Sequence, residues 1–469
     1  MPLIIPANTL VPSGYDVENS IRLDGSAYMH KTQSGGNRQI FTMSCWTKLT
    51  GAYGSNAGSL LSTDGTDDDS NFHFTVKADK LTLHIYGADA FTTAPVLRDY
   101  SAWYHIVLAV DTTQSTSSNR MKLYVNNVQQ TLTEGSDYPA QNDNFGVNES
   151  GTVIGVGTHP GSVATYALNS YLAEYCLIDG LQLTPSSFGE ANEDSPTIWQ
   201  PIDPSGLTFG TNGFYLDFKD SANLGNDANG GTDLTEVSIA AAAQAIDTPT
   251  NNFNTFNPLI FRTGRTATTH SQGNCKAIFS DGGGNTTAWG TILLNHGKWY
   301  FEVKSLIANY SHIGTWQTMG AWTNPGVYDA ISGLNSYRQD GVSHDENIAT
   351  ATYGDAWSAD DIIGCAFDCD TGTIWFSVGG VWQDSATQGE VVAGTTANAA
   401  FTGKAYSTNG VLAAASGYSG ASLEANFGGC SAFAIDSGNA DDNGYGSFEY
   451  DVPTGYLAIC TKNLGSTGG

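Results

Sequence analysis

Residues 362–382, IIGCAFDCDTGTIWFSVGGVW, spell out a strand, a turn, a return strand and a second turn with almost nothing left over. The apolar run 362–367 meets Asp368, Cys369, Asp370, Thr371 and Gly372, a set suited to a tight reversal. Residues 373–378 form the return arm, and Gly379-Gly380 makes the turn that delivers Val381 and Trp382. A segment written this way is committed to antiparallel pairing, and the same texture recurs along the chain. Leu81, Leu83 and Ile85 alternate with Thr82, His84 and Tyr86 after a turn at 77–80. Residues 121–125 and 128–132 flank Asn126-Asn127, a pair that accepts the positive φ of a two-residue turn. Trp299, Phe301 and Val303 alternate with Lys298, Tyr300, Glu302 and Lys304, which predicts an amphipathic strand. The period is two, not 3.6, so the expected fold class is all-β, built as two tandem antiparallel β-sandwiches.

Length and composition set the domain plan. At 469 residues the chain needs more than one core, and no 20- to 50-residue repeat supports a solenoid or propeller. Only 14% of residues are charged, against roughly 25% in an average domain, while Gly fills 55 positions and Tyr, Phe and Trp fill 22, 20 and 10. The plan is an N-terminal arm (1–13), a sandwich (14–222) completed by a late strand within 208–218, a linker (223–258) and a second sandwich (259–469). The linker reading rests on the Gly-, Asn- and Ala-rich stretch that ends in Pro249, Thr250, Asn251 and Asn252.

The 46 acidic against 18 basic residues give a formal charge of −28, a field that repels phosphate backbones and anionic bilayers. No run reaches the roughly 18 apolar residues of a membrane helix, and residues 1–16 show no secretory leader. Seven cysteines lie scattered without a CxxC pair, which predicts single thiols packed in strands. No G-x-S-x-G, H-E-x-x-H, P-loop or dinucleotide fingerprint occurs, and no catalytic residue is expected. Glu174 and Asp179 fall five apart on one strand and are expected on opposite sides of it. The cofactor expectation is none, with calcium the only ion the residues admit, through the oxygen-rich cluster Asp64, Asp67, Asp68 and Asp69. For binding, residues 319–340 (MGAWTNPGVYDAISGLNSYRQD) set Trp322, Tyr328, Asp329 and Tyr337 around Pro and Gly, where rings could stack on a sugar or anchor in a partner. Asp340 is expected to cap a turn.

Segments 41–47 (FTMSCWT), 102–111 (AWYHIVLAVD), 122–128 (KLYVNNV) and 171–180 (YLAEYCLIDG) resemble the concanavalin A-like, laminin-G-type jelly roll over about 200 residues. Segments 297–303 (GKWYFEV), 361–375 (DIIGCAFDCDTGTIW), 376–382 (FSVGGVW) and 424–427 (EANF) look like a SPRY domain. The first resemblance implies a calcium site at a loop rim, and the second a recognition surface made of loops between strands. The hydrolases among such jelly rolls carry E-x-D-x-x-E, which is missing here. The pairing of the two domains is similar to virion structural proteins of tailed phages, marine ones especially. That similarity implies a non-enzymatic virion surface protein, made in the host cytoplasm. It would bind a host surface glycan or neighbouring virion proteins as a tail fibre, adhesin or appendage, and the alternatives are a capsid or tail decoration or connector protein with a packing role and, behind it, a glycan hydrolase. A homo-oligomer with largely uncharged contacts is expected, since close self-association at −28 needs them.

Overall fold

The computed structural model describes residues 14–53, 57–65, 71–85, 88–133, 138–260, 268–280, 284–317, 333–345 and 348–466. They divide into two compact units that meet in sequence between Thr250 and Asn251. Each unit is a pair of antiparallel sheets, as the alternation demanded.

In the N-terminal unit one sheet runs Val128–Gln129, Met121–Val125, Tyr104–Asp111, Ile40–Leu49, Asn169–Asp179, Ser20–Asp24, Gln244–Ala245, and Phe214–Leu216 adds to Asn169–Asp179. The other runs Leu132–Thr133, Ala88–Thr93, Lys80–Ile85, His73–Lys77, Gly58–Thr63, Val153–Val156, Tyr28–Thr32, Thr235–Val237. Between them Phe41, Phe72 and Phe145 meet edge to face at centroid separations of 5.4–6.2 Å. The Tyr175 hydroxyl crosses the core to donate to the Leu60 carbonyl at 2.9 Å. The turn expected at 77–80 is tighter than four residues. Lys77 pairs with Lys80, leaving only Ala78 and Asp79 in the left-handed region at φ 50° and 59°. Asn126 and Asn127 make the same turn at 46° and 66°.

Residues 223–258 are not a linker. Thr235–Val237 pairs with Tyr28–Thr32, and Gln244–Ala245 pairs with Ser20–Asp24, so both sheets gain an edge strand from this stretch. Its Gly and Asn residues serve compact turns: Asp227 N donates to Asp233 Oδ1 at 3.0 Å, Gly225 N to Glu236 Oε1 at 2.8 Å, and Tyr215 N to Asp227 Oδ1 at 3.0 Å. Past the boundary, Phe256 already belongs to the core of the C-terminal unit. Composition could not separate turn-dense order from flexibility, because both use the same residues.

In the C-terminal unit one sheet runs Thr269–Ser271, Lys276–Ile278, Ser422–Asn426, Lys298–Ile307, Ile362–Asp368, Thr373–Val378, Val381–Trp382, with Leu457–Ala458 parallel to Lys298–Ile307. The other runs Thr286–Trp289, Val411–Gly417, His312–Gln317, Leu334–Arg338, Val342–Asp345, Ile348–Thr352. The hairpin at 362–382 keeps its expected register, Asp368 opposite Thr373 and Ser377 opposite Trp382. Trp299, Phe301 and Val303 enter the core with Ile363, Cys365 and Phe376. The other face of that strand is not solvated as expected. Tyr300 and Glu302 are fully buried under residues 448–450, with the Phe448 ring edge-on to Tyr300 at 5.2 Å.

The stretch 244–250 is pinned to the N-terminal unit by Lys48 Nζ and Asp247 Oδ2, 2.8 Å apart with side-chain exposures of 1% and 0%. Trp103 Nε1 donates to Asp247 Oδ1 at 3.0 Å. Asp247→Ala leaves a buried ammonium without its counter-charge and is expected to cost about 3–5 kcal/mol, whereas the double change Lys48→Met, Asp247→Leu should recover most of that. Calorimetric melting of the three proteins checks this, and a single variant within about 1 kcal/mol of the parent would show the clamp to be dispensable.

Candidate functional site

Tyr337, one of the four residues expected in a recognition loop, is a core residue instead. It sits in Leu334–Arg338 with no exposure, stacks on Phe376 at 5.5 Å, meets Tyr353 edge-on, and donates its hydroxyl to the Asp355 carbonyl. Leu334 and Tyr337 lie on opposite faces of this strand and pack in separate clusters, so no apolar alternation in 334–338 marks Tyr337 as inward and its burial comes from contacts distant in sequence. Trp322, Tyr328 and Asp329 lie outside the described residues. Asp340 caps the turn that follows, pairing with Arg338 and accepting from Val342 N at 3.3 Å. Of the calcium candidates, Asp64 spends Oδ1 on Val153 N at 2.7 Å, while Asp67, Asp68 and Asp69 lie outside the described residues. Among the described residues no three His, Cys, Asp or Glu side chains converge as metal ligands.

Residues 181–204 cover one face of the first sheet, with Leu183 and Phe188 packed on Val107, Cys176 and Ile178. The hairpin Gly189–Ala191 with Trp199–Pro201 brings Trp199 onto His105. Trp199 Nε1 donates to His105 Nδ1 at 2.9 Å, and His105 Nε2 faces Ser44 Oγ at 2.9 Å. An indole N–H only donates, so Nδ1 is the acceptor and the neutral ring carries its proton on Nε2, pointing at Ser44. Burial pushes His105 down to about 3, which keeps it neutral. The pair therefore has the wrong tautomer for a serine nucleophile and its base.

Glu174 occupies a bulge in Asn169–Asp179 at φ 48°, where the register shifts between Ala173 and Cys176. The bulge breaks the simple alternation expected along this strand. The Glu174 carboxyl accepts from the Tyr215 hydroxyl at 2.7 Å and the Tyr15 hydroxyl at 3.2 Å. Burial pushes it up to about 7 despite those donors. Asp179, at the strand end, accepts from Asn37 N at 2.8 Å and Asn212 N at 3.1 Å, so the two acids serve separate clusters.

Asp179 also floors an open groove of about 670 Å³ on the N-terminal unit, walled by Asn37, Arg38, Gln39, Asn144 and Thr211. Gly36 and Gly210 approach so closely that a Cβ on either would lie 2.3 Å from an Asp179 oxygen. Asn37 Oδ1 accepts from Gln39 N and Ile40 N, which fixes the loop, and Arg38 bonds the Phe145 carbonyl and Glu149. The Gln39 amide donates to the Asn142 carbonyl at 2.8 Å, so the wall presents two planar amides and a guanidinium held at set angles, with the exposed Asn144 beside them, able to face adjacent hydroxyls of a ligand. A second, smaller recess of about 400 Å³ lies in the C-terminal unit beside the Gly379-Gly380 turn.

Residues 23–168 match the Laminin_G_3 family model, described as the concanavalin A-like lectin/glucanases superfamily. Among solved structures, the chain is similar to a putative carbohydrate binding protein from Bacteroides ovatus at 16% identity and a TM-score of 0.35, covering 48% of this chain and 60% of that one. The human HERC1 SPRY domain is 14% identical at a TM-score of 0.25, covering 38% of this chain and 99% of that one. A heptameric SAP-like pentraxin from Limulus polyphemus is 16% identical at 0.28, covering 36% and 80%. The chain spans about three-fifths of the length of the Bacteroides ovatus protein.

The buried Glu174 makes stability depend on pH. The folded protein keeps this proton to about pH 7, whereas the ordinary carboxyl value is 4.5. The native state therefore binds the extra proton between those values, and stability falls as pH rises through the window, by roughly 3 kcal/mol for a shift of this size. Glu174→Gln removes the titration. Urea midpoints at pH 4.5 and 7.5 should diverge less in the variant than in the parent, and equal pH dependence in both would show that Glu174 ionises normally.

Proposed function

We propose that the protein binds neutral glycans without hydrolysing them, through the groove of the N-terminal unit. The observation that carries this is the polar wall of Asn37, Arg38 and Gln39, each held by hydrogen bonds, with Asn144 beside them above Asp179, in a sandwich whose residues 23–168 match a lectin and glucanase superfamily. Sugar recognition needs several fixed planar donors and acceptors more than an apolar cavity, and glycines that let backbone groups approach closely. Lectin use is favoured over glucanase use because glycoside hydrolysis requires a pair of carboxyls about 5–10 Å apart across an accessible bond. Asp179, the only carboxylate lining this groove among the described residues, has an oxygen committed to each of two backbone amides.

The setting we propose is the surface of a tailed-phage virion, as an adhesin or appendage. A decoration or connector role is the second reading, favoured by the low content of charge over so much sheet edge. Screening the full chain on a neutral glycan array identifies the ligand, and Asn144→Trp then fills the groove from an exposed position. Binding should fall by at least about tenfold at an unchanged melting temperature, as blocking a central contact does. Binding that survives the tryptophan, or an array without a hit, removes the groove from consideration. Release of reducing sugar would convert the reading to a hydrolase. Mass spectrometry of purified particles tests the virion setting separately.

A further inference from the structure

The recess beside the Gly379-Gly380 turn is a built pocket of a different chemical kind. Tyr450 lies against the turn, since a Cβ on Gly380 would come within 2.6 Å of its ring. Its backbone N–H is fixed by Glu302 Oε1 at 2.9 Å, and the same carboxylate oxygen accepts from the Tyr300 hydroxyl at 3.1 Å. Trp382 is 9% exposed and holds Gln388 through its indole N–H, at the start of the helix Gln388–Ala393. Val381 projects outward at 67% exposure. Asp451 completes the lining, and among the described residues no lysine or arginine contributes to it.

Two features fix the chemistry. Faces of Trp and Tyr carry negative electrostatic potential and attract cations within about 6 Å of the ring centroid. Burial first, and then the acids Glu449, Glu302 and Asp361, hold the Tyr450 hydroxyl above the ordinary tyrosine value, with Glu302 only partly charged at neutral pH because burial pushes it up to about 7. An anion would enter against this field, and a neutral ligand would leave it uncompensated. We infer that the recess binds an organic ammonium group, seated between the Trp382 and Tyr450 rings and Asp451. This inference is independent of the glycan groove, since the residues belong to the other unit.

The test uses ligand-observed NMR with the full chain and four probes. Glucosamine, glucose and N-acetylglucosamine share one ring and differ in charge, while n-butylammonium carries the charge without the ring. Saturation transfer from glucosamine or n-butylammonium that falls on substitution of Tyr450 or Asp451, while any transfer from glucose and N-acetylglucosamine is unmoved by either change, supports the inference. The better of the two cations then tells whether the natural source is an amino sugar or a lysine-like side chain. Asp451→Asn should weaken the cation about threefold, as expected for one exposed charge partner. Tyr450→Leu should weaken it about fivefold or more, as expected for a lost ring face. Both variants should leave glycan binding elsewhere unaltered, with melting temperature confirming the fold. Equal binding of charged and neutral sugars at this recess, no binding of either cation, or indifference to both substitutions would overturn the assignment.

Discussion

Lys48 and Asp247 face each other at 2.8 Å with essentially no solvent access, and such a pair is tolerable only where further partners replace the lost water. The Trp103 indole supplies one to Asp247, and the Tyr171 ring lies 5.7 Å from the ammonium. Because desolvation of each ion is large, a chain in which residue 247 sits elsewhere buries the Lys48 ammonium away from its counter-charge. The pair therefore acts more on where the segment docks than on net stability. It anchors the last strand of the unit, and with it the Ser20 hydroxyl, which donates to the Asp247 carbonyl at 2.7 Å.

The same device recurs with backbone amides in place of lysine. Glu302 accepts from Glu449 N and Tyr450 N and so holds a late segment over the second sandwich. Asp441 accepts from Asn443 N, Tyr445 N and Ala458 N, and from Asn463 Nδ2. Asp179 and Asp227 do likewise in the first unit. A loop of Gly and Asn has many backbone donors that no ladder satisfies, and a carboxylate offers about four acceptor sites. Part of the excess of 46 acids over 18 bases is thereby structural. It is a way of ordering turn-rich chain without helices.

That economy explains what was legible in the sequence. Alternation gave the hairpin at 362–382, the inward Trp299, Phe301 and Val303, and the two-residue turn at Asn126-Asn127, because each depends on neighbours only a few residues away. The late strand at Phe214–Leu216 was also visible, since three apolar residues at spacing two need a sheet. What escaped depends on contacts distant in sequence. The pairing of Thr235–Val237 with Tyr28–Thr32 spans some two hundred residues of chain, and the cover over Tyr300 and Glu302 comes from residues 448–450. The bulge at Glu174 was unreadable for a local reason, because a non-glycine residue at positive φ carries no compositional mark. Of the four aromatic-loop residues expected to recognise a partner, Tyr337 belongs to the core, and the two recesses arose instead from turns whose glycines looked merely connective.

The acid excess also acts on ligands before any contact forms. At physiological ionic strength the field of exposed charges decays over about 8 Å, so it acts at the mouth of an open groove but only weakly beyond it. In the N-terminal groove the positive charge of Arg38 is already met by Glu149 at 2.9 Å, leaving little to hold an anion. Sulfated or sialylated chains would therefore meet opposition with no compensating cation, whereas neutral hydroxyls meet none. In the C-terminal recess, where acids stand behind aromatic faces, the balance shifts further, from tolerance of neutral ligands to preference for positive ones. The two recesses thus differ in the charge they present, while each is shaped by its own glycines, Gly36 and Gly210 in the first and Gly379 and Gly380 in the second.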